Sequence, residues 1–250
     1  QYKRGGVVSF SWHLDNPLTG KDAWDVSDTT VVASILPGGV HHAKFISWLD
    51  AVAAFMNTLE TEEGTKIPVI FRPWHEHTGS WFWWGQNLCT ADQYKALWRM
   101  THDRMHARGV KNLLYAYSPG SEPKDSTAYL ERYPGDDIID LVGFDTYQFD
   151  RTQYMEQLDK SLAILTEVGK AHDKPIAITE TGFEAIPDSV WWTQTLYPVI
   201  SKYPISYVLV WRNARERVNH YYAPYPADDF VKFYREPKTL FVSDVKNLYK

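Results

Sequence analysis

The stretch Ile67-Pro68-Val69-Ile70-Phe71-Arg72-Pro73-Trp74-His75-Glu76-His77 passes directly from an apolar run into ionisable and aromatic residues. A short apolar run without polar interruption is typical of a strand that is buried on both faces, as the strands of a parallel sheet are. Five further runs with polar or aromatic residues after them lie at 7–12, 112–117, 138–144, 175–179 and 205–210.

Helical patterns fill the segments between these runs. Residues 43–60 repeat apolar side chains with the 3.6-residue period of an amphipathic helix, and the helix predicted over 93–107 follows start signals at Thr90 and Asp92. Alternating strands and helices predict an α/β fold with a parallel sheet, and 250 residues suit a single (β/α)8 barrel domain over 1–250. The other helical patterns lie at 153–171, 189–202 and 228–234.

The composition argues against several classes of protein. The net charge is −5 and no basic block is present, so a nucleic-acid partner has no electrostatic support. A single cysteine, Cys89, permits neither an intrachain disulfide nor a cysteine-based metal cluster, and no apolar run is long enough for a membrane span. The aromatic content of 15% is high, which indicates either a large core or flat surfaces for a ring-shaped ligand.

Two carboxylates directly follow predicted strands, Glu76 after the second run and Glu180 after the fifth. The carboxyl ends of all strands meet at one face of a parallel barrel, so we expect both groups at one mouth. Paired carboxylic acids are what cleavage of a glycosidic bond requires. The alternative is structural, because a glutamate at a strand end can cap a helix or pair with an arginine.

Three histidines near Glu76 suggest a competing hypothesis. His13, His75 and His77 could hold zinc together with a carboxylate. The chain has no H-E-x-x-H motif, however, and the neighbouring aromatic residues suit a sugar better than a hydrated metal. We therefore expect no metal.

Aromatic residues at the strand ends predict stacking on sugar rings, whereas tryptophans on helical patterns predict core packing. Tyr147 is placed to donate a hydrogen bond to the carboxylate of Glu180 and keep it ionised, and Arg212 to bind a hydroxyl or carboxylate. The tryptophans of the first kind are Trp74, Trp81, Trp83, Trp84 and Trp211, and those of the second are Trp48, Trp98, Trp191 and Trp192.

Residues 72–85, Arg-Pro-Trp-His-Glu-His-Thr-Gly-Ser-Trp-Phe-Trp-Trp-Gly, resemble the acid/base motif of glycoside hydrolase family 26. The resemblance runs the whole length of the chain, in the family's order. The other matching blocks are Ser11-Trp12-His13 with Asn16-Pro17, Asp145-Thr146-Tyr147, Thr179-Glu180-Thr181-Gly182 and Trp211-Arg212-Asn213.

The resemblance implies a retaining hydrolase without metal or cofactor, most often an endo-β-1,4-mannanase and in some members a mannobiose-releasing enzyme. Glu76 would be the acid/base and Glu180 the nucleophile, with carboxyl groups about 5–5.5 Å apart. The residues expected to bind substrate are His13, Trp74, His75, Trp81, Asp145, Tyr147, Trp211 and Arg212.

The expected substrate is mannan, glucomannan, galactomannan or a manno-oligosaccharide, and the expected location is secreted, periplasmic or at the cell surface. Three alternatives remain open: the same chemistry on mixed-linkage β-glucan or β-1,3-xylan, a non-catalytic carbohydrate-binding barrel, and a metal-dependent hydrolase.

The strand count gives a further expectation. The family places its acid/base after strand 4, so the six runs would be strands 3 to 8, with the first two βα units upstream of Gln1. An open parallel barrel exposes two sheet edges. We therefore expect an N-terminal segment of a longer polypeptide, or a companion chain, to complete the barrel.

Overall fold

A computed structural model describes residues 1–212 and 226–245. The chain divides into two compact units. The first unit comprises residues 7–141 with Tyr2, and the second runs from Val142 onward and includes Gln1 and residues 3–6. In the described part of the chain, no helix is both long and apolar enough to cross a membrane.

The first unit alternates strands and helices. Its three strands are parallel, with Val69 of the central strand opposite Val8 on one side and Leu113 on the other. A 3-10 turn, His77–Gly79, follows the central strand. In chain order the elements are β1 (Val8–Ser11), α1 (Val31–Ile35), α2 (His42–Asn57), β2 (Val69–Arg72), α3 (Ala91–Ala107), β3 (Leu113–Tyr117) and α4 (Ser126–Leu130).

The second unit repeats this arrangement. Its three strands are also parallel, with Val142 opposite Ile176 and Ile178 opposite Val208. In chain order the elements are β4 (Leu141–Gln148), α5 (Arg151–His172), β5 (Ile176–Phe183), a π-helical turn (Trp192–Leu196), α6 (Tyr197–Ile200), β6 (Val208–Val210) and α7 (Ala227–Tyr234).

All six predicted strands are present and parallel within each unit, and the long predicted helices correspond to α2, α3 and α5. The helix predicted over 189–202 is present as one continuous helical segment, a π-helical turn that passes directly into α6. Two short helices, α1 and α4, lie in segments that carry no long apolar period. Five-residue helices are too short for a periodic signal, so their sequence prediction fails for that reason.

Burial differs between the inner and outer strands. Every residue of β2 is buried and β4 and β5 are buried almost throughout, whereas β1 and β6 are half-buried along their whole length. The expectation of strands buried on both faces is therefore right for β2, β4 and β5 and wrong for β1 and β6. The strand β1 carries Ser9 and Ser11 between its apolar residues, whereas β6 is wholly apolar and is still only half-buried, so an apolar run alone does not predict how far a strand is buried.

Side-chain caps define the beginnings of three helices. Thr90 accepts a hydrogen bond from the backbone of Gln93, and the Gln93 side chain accepts one from the backbone of Thr90, which together form a capping box at α3. Asp125 and Asp150 cap α4 and α5 in the same position. The start signal at Thr90 is thus confirmed.

An ion-pair cluster joins α2 to the end of α3. The carboxylate of Asp50 accepts hydrogen bonds from the guanidinium groups of Arg104 and Arg108. These hydrogen bonds hold the pKa of Asp50 well below its usual range, and the bond from Arg108 has the largest effect. A lowered pKa in the folded state stabilises the protein above the unfolded-state pKa, and this contribution is lost as the pH falls below about 4.

We therefore predict that Asp50→Asn weakens the acid dependence of stability. In the native protein the free energy of unfolding should fall with decreasing pH in part because Asp50 must become protonated; in the variant that part is absent. Chemical denaturation at a series of pH values between about 3 and 7 measures it. Asp173→Asn, at the exposed end of α5, is the control and should leave the slope unchanged; equal slopes for Asp50→Asn and the native protein would contradict the prediction.

Candidate active site

The segment after β2 bends sharply and carries Glu76. Trp74, Glu76 and Ser80 have φ angles of 56°, 53° and 58°, in the left-handed region that non-glycine residues rarely adopt. Each such residue costs on the order of 1 kcal/mol or more, so the surroundings must determine the conformation. Three within seven positions mark this segment as strained backbone next to a carboxylate.

Hydrogen bonds to consecutive backbone carbonyls determine that conformation. Five carbonyls in a row have a donor, and two of the donors are aromatic side chains from elsewhere in the first unit. None of these five carbonyls in the strained segment is therefore left without a hydrogen-bond donor. The carbonyls and their donors are Trp74 with Tyr94 Oη (2.6 Å), His75 with Trp84 Nε1 (2.8 Å), Glu76 with Gly79 N (3.2 Å), His77 with Gln86 N (2.7 Å) and Thr78 with Gln86 Nε2 (2.8 Å).

Glu76 is held at both backbone and side chain. Its backbone N–H donates to the carbonyl of Ser118, directly after β3, over 2.9 Å. Its Oε2 accepts a hydrogen bond of 2.9 Å from Trp81 Nε1. The Trp81 ring lies over Gly79, where a Cβ would be 1.8 Å from a ring carbon, so only glycine leaves room. The carboxyl group is half-buried and Trp81 is 40% exposed, so both can meet a ligand.

His13 and His75 form a pair beside this segment. Their Nε2 atoms are 3.2 Å apart, so one ring donates and the other accepts. Burial, followed by the charges of Arg72 and His13, holds the pKa of His75 well below its usual range, which keeps that ring neutral. Trp24 stacks on His13 with ring centroids 5.4 Å apart and is 54% exposed. Trp24 was not predicted from the sequence, although a lone tryptophan within the polar segment Lys21-Asp22-Ala23-Trp24-Asp25 is a signal for it.

Three tryptophans near Glu76 are core residues. Trp74, Trp83 and Trp84 have no exposed surface, and each indole N–H donates within the first unit, to Thr101, Leu14 and His75 respectively. The prediction that Trp74 binds substrate is corrected by this burial, because its ring offers no face to a sugar. The same holds for Trp83 and Trp84.

His77 is buried in the core of the first unit. Its ring is buried against Tyr94 and Tyr117, with centroids 4.5 and 5.6 Å away. Burial, helped by the nearby charge of Arg132, lowers the pKa of His77 to about 3, so the ring is neutral at physiological pH. His77 therefore belongs to an aromatic core cluster.

A second cluster surrounds Glu180, within β5 of the second unit. Tyr147 Oη donates to Glu180 Oε2 over 2.5 Å, which is the contact expected from the sequence. An irregularity after Phe144 places Asp145 opposite Glu180, and Asp145 Oδ1 accepts a hydrogen bond of 2.7 Å from the hydroxyl of Thr179. Glu180 and Asp145 are each 3% exposed, so this is a nearly dry pair of carboxyl groups supplied with hydroxyl donors.

Two further predicted site residues, Trp211 and Arg212, follow β6 in the second unit. Trp211 follows β6, and its backbone N–H donates to the carbonyl of Thr181, next to Glu180, over 2.8 Å. Trp211 is half-buried and Arg212 is exposed. Asn213, the last residue of that predicted motif, lies outside the described residues.

The model for Glycosyl hydrolase family 26 matches residues 1–195. The chain belongs to this family. A mannan endo-1,4-beta-mannosidase of Bifidobacterium adolescentis is 42% identical over 187 residues, which are 72% of this chain and 18% of that protein. Its counterpart from Bacillus subtilis strain 168 is 29% identical over 224 residues, 85% of this chain and 57% of that protein.

The family 26 fold is matched along the whole chain. The structure of a GH26 beta-mannanase from Bacteroides ovatus, BoMan26A, is 66% identical with a TM-score of 0.98, and the match covers all of this chain and 74% of that one. The predicted fold class, an α/β fold of the (β/α)8 barrel type with six of its strands in the described residues, is thereby confirmed. The chain spans about a fifth to three fifths of the length of these curated relatives.

We predict that Tyr94→Phe destabilises the protein through the strained segment. The change removes only the hydroxyl that donates to the Trp74 carbonyl and leaves a buried acceptor unpaired, which costs about 1–3 kcal/mol. Denaturant unfolding measures the loss. The control Tyr234→Phe removes an exposed hydroxyl and should change stability by less than about 0.5 kcal/mol; similar losses in both variants would mean that the bond to Trp74 is not what matters.

Proposed function

We propose that the protein is a retaining glycoside hydrolase that cleaves β-1,4-mannosidic bonds in mannan, glucomannan or galactomannan. The observation that carries this proposal is a pair of glutamates, Glu76 in the turn after β2 and Glu180 within β5, each with its own hydrogen-bond donor, in a chain of family 26. The names of the relatives support mannan as the substrate.

Glu180 is the nucleophile in this proposal. It lies within the buried strand β5, is 3% exposed and accepts the phenol hydrogen of Tyr147, so its orientation is set before substrate arrives. A donor on the carboxylate stabilises its ionised form, which is the form that attacks the anomeric carbon. The attack forms a glycosyl-enzyme with inverted configuration at that carbon.

Glu76 is the acid and then the base. In the first step its carboxyl group gives a proton to the glycosidic oxygen as the bond breaks; in the second, its carboxylate takes a proton from the water that attacks the glycosyl-enzyme. The second inversion restores the original configuration. Glu76 is more exposed than Glu180 and lies in a loop, which suits a group that must meet both the leaving sugar and water.

The substrate contacts that we propose are exposed or half-buried rings and polar groups around these glutamates. Trp81 offers an accessible ring face next to Glu76, and Asp145 and Tyr147 line the region of Glu180. His13, backed by the buried His75, is the polar counterpart beside Glu76. Trp211 and Arg212 contact sugars further along the polymer. A substrate of polymer size cannot cross a membrane, so we also propose that the protein acts outside the cytoplasm.

Product analysis tests this function. The full chain is incubated with mannan, lichenan and β-1,3-xylan, and reducing ends are measured with and without a chelator. We expect release from mannan, unaffected by chelator. Release from lichenan or xylan alone would favour the other polysaccharides, loss with chelator would favour a metal-dependent hydrolase, and binding without release would indicate a carbohydrate-binding protein. Proton NMR of fresh product should show the β-anomer first; the α-anomer would contradict retention.

We predict that Glu180→Ala abolishes turnover while the protein stays folded. Loss of a nucleophile leaves no route to the glycosyl-enzyme, so activity on mannan should fall by at least about 10⁴-fold. The control Glu167→Ala removes an exposed carboxylate from α5 and should keep full activity. Circular dichroism checks the fold of both; near-normal turnover in Glu180→Ala would remove it from the mechanism.

For Glu76→Ala we predict a loss that depends on the leaving group. Mannan needs a proton on its leaving oxygen, so kcat/KM should fall by about 10²–10⁴-fold. A dinitrophenyl β-mannobioside needs none, so its kcat/KM should change little. Glu131→Ala, on an exposed residue after α4, serves as the control. Equal losses on both substrates would show that Glu76 is not the acid.

A further inference from the structure

A buried arginine lies behind the segment that carries Glu76. Arg132 follows α4 and is 7% exposed. Among the described residues its guanidinium contacts no carboxylate; its two partners are a backbone carbonyl and a thiol. Removing a guanidinium from water without a counter-ion is unfavourable. The residue therefore contributes something other than an ion pair.

The partners of Arg132 belong to the loop that follows Glu76. One terminal nitrogen donates to the Gln86 carbonyl over 2.9 Å, and the other lies 3.8 Å from Cys89 Sγ. Gln86 in turn donates to the carbonyls of His77 and Thr78, the two residues after Glu76. A single residue thus connects the guanidinium to the turn at Glu76.

The same loop delivers Trp81 to Glu76. Asn87 donates to Ser80 Oγ over 3.1 Å, so the two ends of the loop are tied together. Gly85 lies against Ser80, where a Cβ would be 2.4 Å from the Ser80 Cα, so the loop is closely packed. Trp81 leaves this closed loop and donates to Glu76 Oε2.

The groups around Arg132 do not neutralise its charge. Burial raises the pKa of the Cys89 thiol, which therefore stays protonated, and His77 is neutral as described above. The positive charge is directed at the Gln86 carbonyl, and a hydrogen bond from a charged donor is stronger than one from a neutral donor. A clamp of this kind holds a loop more firmly than its backbone bonds alone.

We propose that Arg132 is a positioning residue for the carboxyl group of Glu76: through Gln86 it holds the loop from which Trp81 binds and orients that group. The inference rests on the proposed role of Glu76 as the acid. Arg132 does not touch the substrate in this scheme. Its removal lets the loop shift, and a small displacement of an acid catalyst costs about 10-fold or more in rate.

Leaving-group dependence tests the proposal in the full chain. Arg132→Met keeps the length of the side chain and removes the fork, and Arg132→Lys keeps the charge as a second variant if the first does not fold. We expect kcat/KM on mannohexaose to fall by about 10-fold or more, and that on the dinitrophenyl β-mannobioside to change by less than about 2-fold. A merely structural defect lowers kcat/KM on both substrates together. Either that outcome or no loss on either substrate overturns the proposal.

Two further variants sharpen the test. Trp81→Phe should give the same leaving-group split, and Arg132→Met with Trp81→Phe should lose no more than the larger single loss, because both act on one group. Additive losses contradict the inference. Arg99→Met, which breaks an exposed ion pair with Asp137, is the matched control and should keep full activity. If Glu76→Ala lacks the split, the proposed function fails; if only the Arg132 variants lack it, the inference alone fails.

Discussion

The structure around the candidate site depends on one constraint: Trp74, Glu76 and Ser80 adopt left-handed conformations, yet no carbonyl from 74 to 78 is left without a donor. The donors come from α3 and from the loop up to Gln86, so packing in the first unit and geometry at Glu76 cannot vary independently. This explains why buried aromatic residues with polar atoms are concentrated here. Trp84 and Tyr94 supply hydrogen bonds at places that water does not reach.

The high aromatic content has two origins that the sequence does not separate. The run from Trp81 to Trp84 is flanked by polar residues and was expected to stack on sugar throughout, yet Trp81 is 40% exposed and Trp83 and Trp84 are fully buried. The residues of a closed loop do not point inward and outward with a regular period. The sequence therefore does not show which of these rings is exposed. Trp24, by contrast, is exposed and escaped prediction because no strand end lies directly before it.

Most of the fold was predictable because apolar runs and helical periods are local. The six strands and α2, α3 and α5 follow from such patterns. Glu76, Tyr147 and Glu180 were singled out because each follows an apolar run, although Tyr147 and Glu180 lie inside β4 and β5. The clamp formed by Arg132 was not predictable, since it joins positions 46 apart through a backbone carbonyl that any residue would supply. The irregularity between Phe144 and Asp145 has no signal in the sequence either, although it decides which residue faces Glu180.

The two glutamates differ in the kind of backbone that supports them. Glu180 lies within the buried strand β5, where the register shifts against both neighbouring strands but a displacement would still break pairing on both sides; Glu76 lies in a strained turn stabilised by side chains from a loop. A substitution between Thr78 and Cys89 can therefore displace the Glu76 carboxyl group while the sheet stays intact. Because Trp83 and Trp84 are buried and Gly79 and Gly85 leave no room for a Cβ, directed evolution of the acid is best confined to exposed positions of this segment such as Asn87.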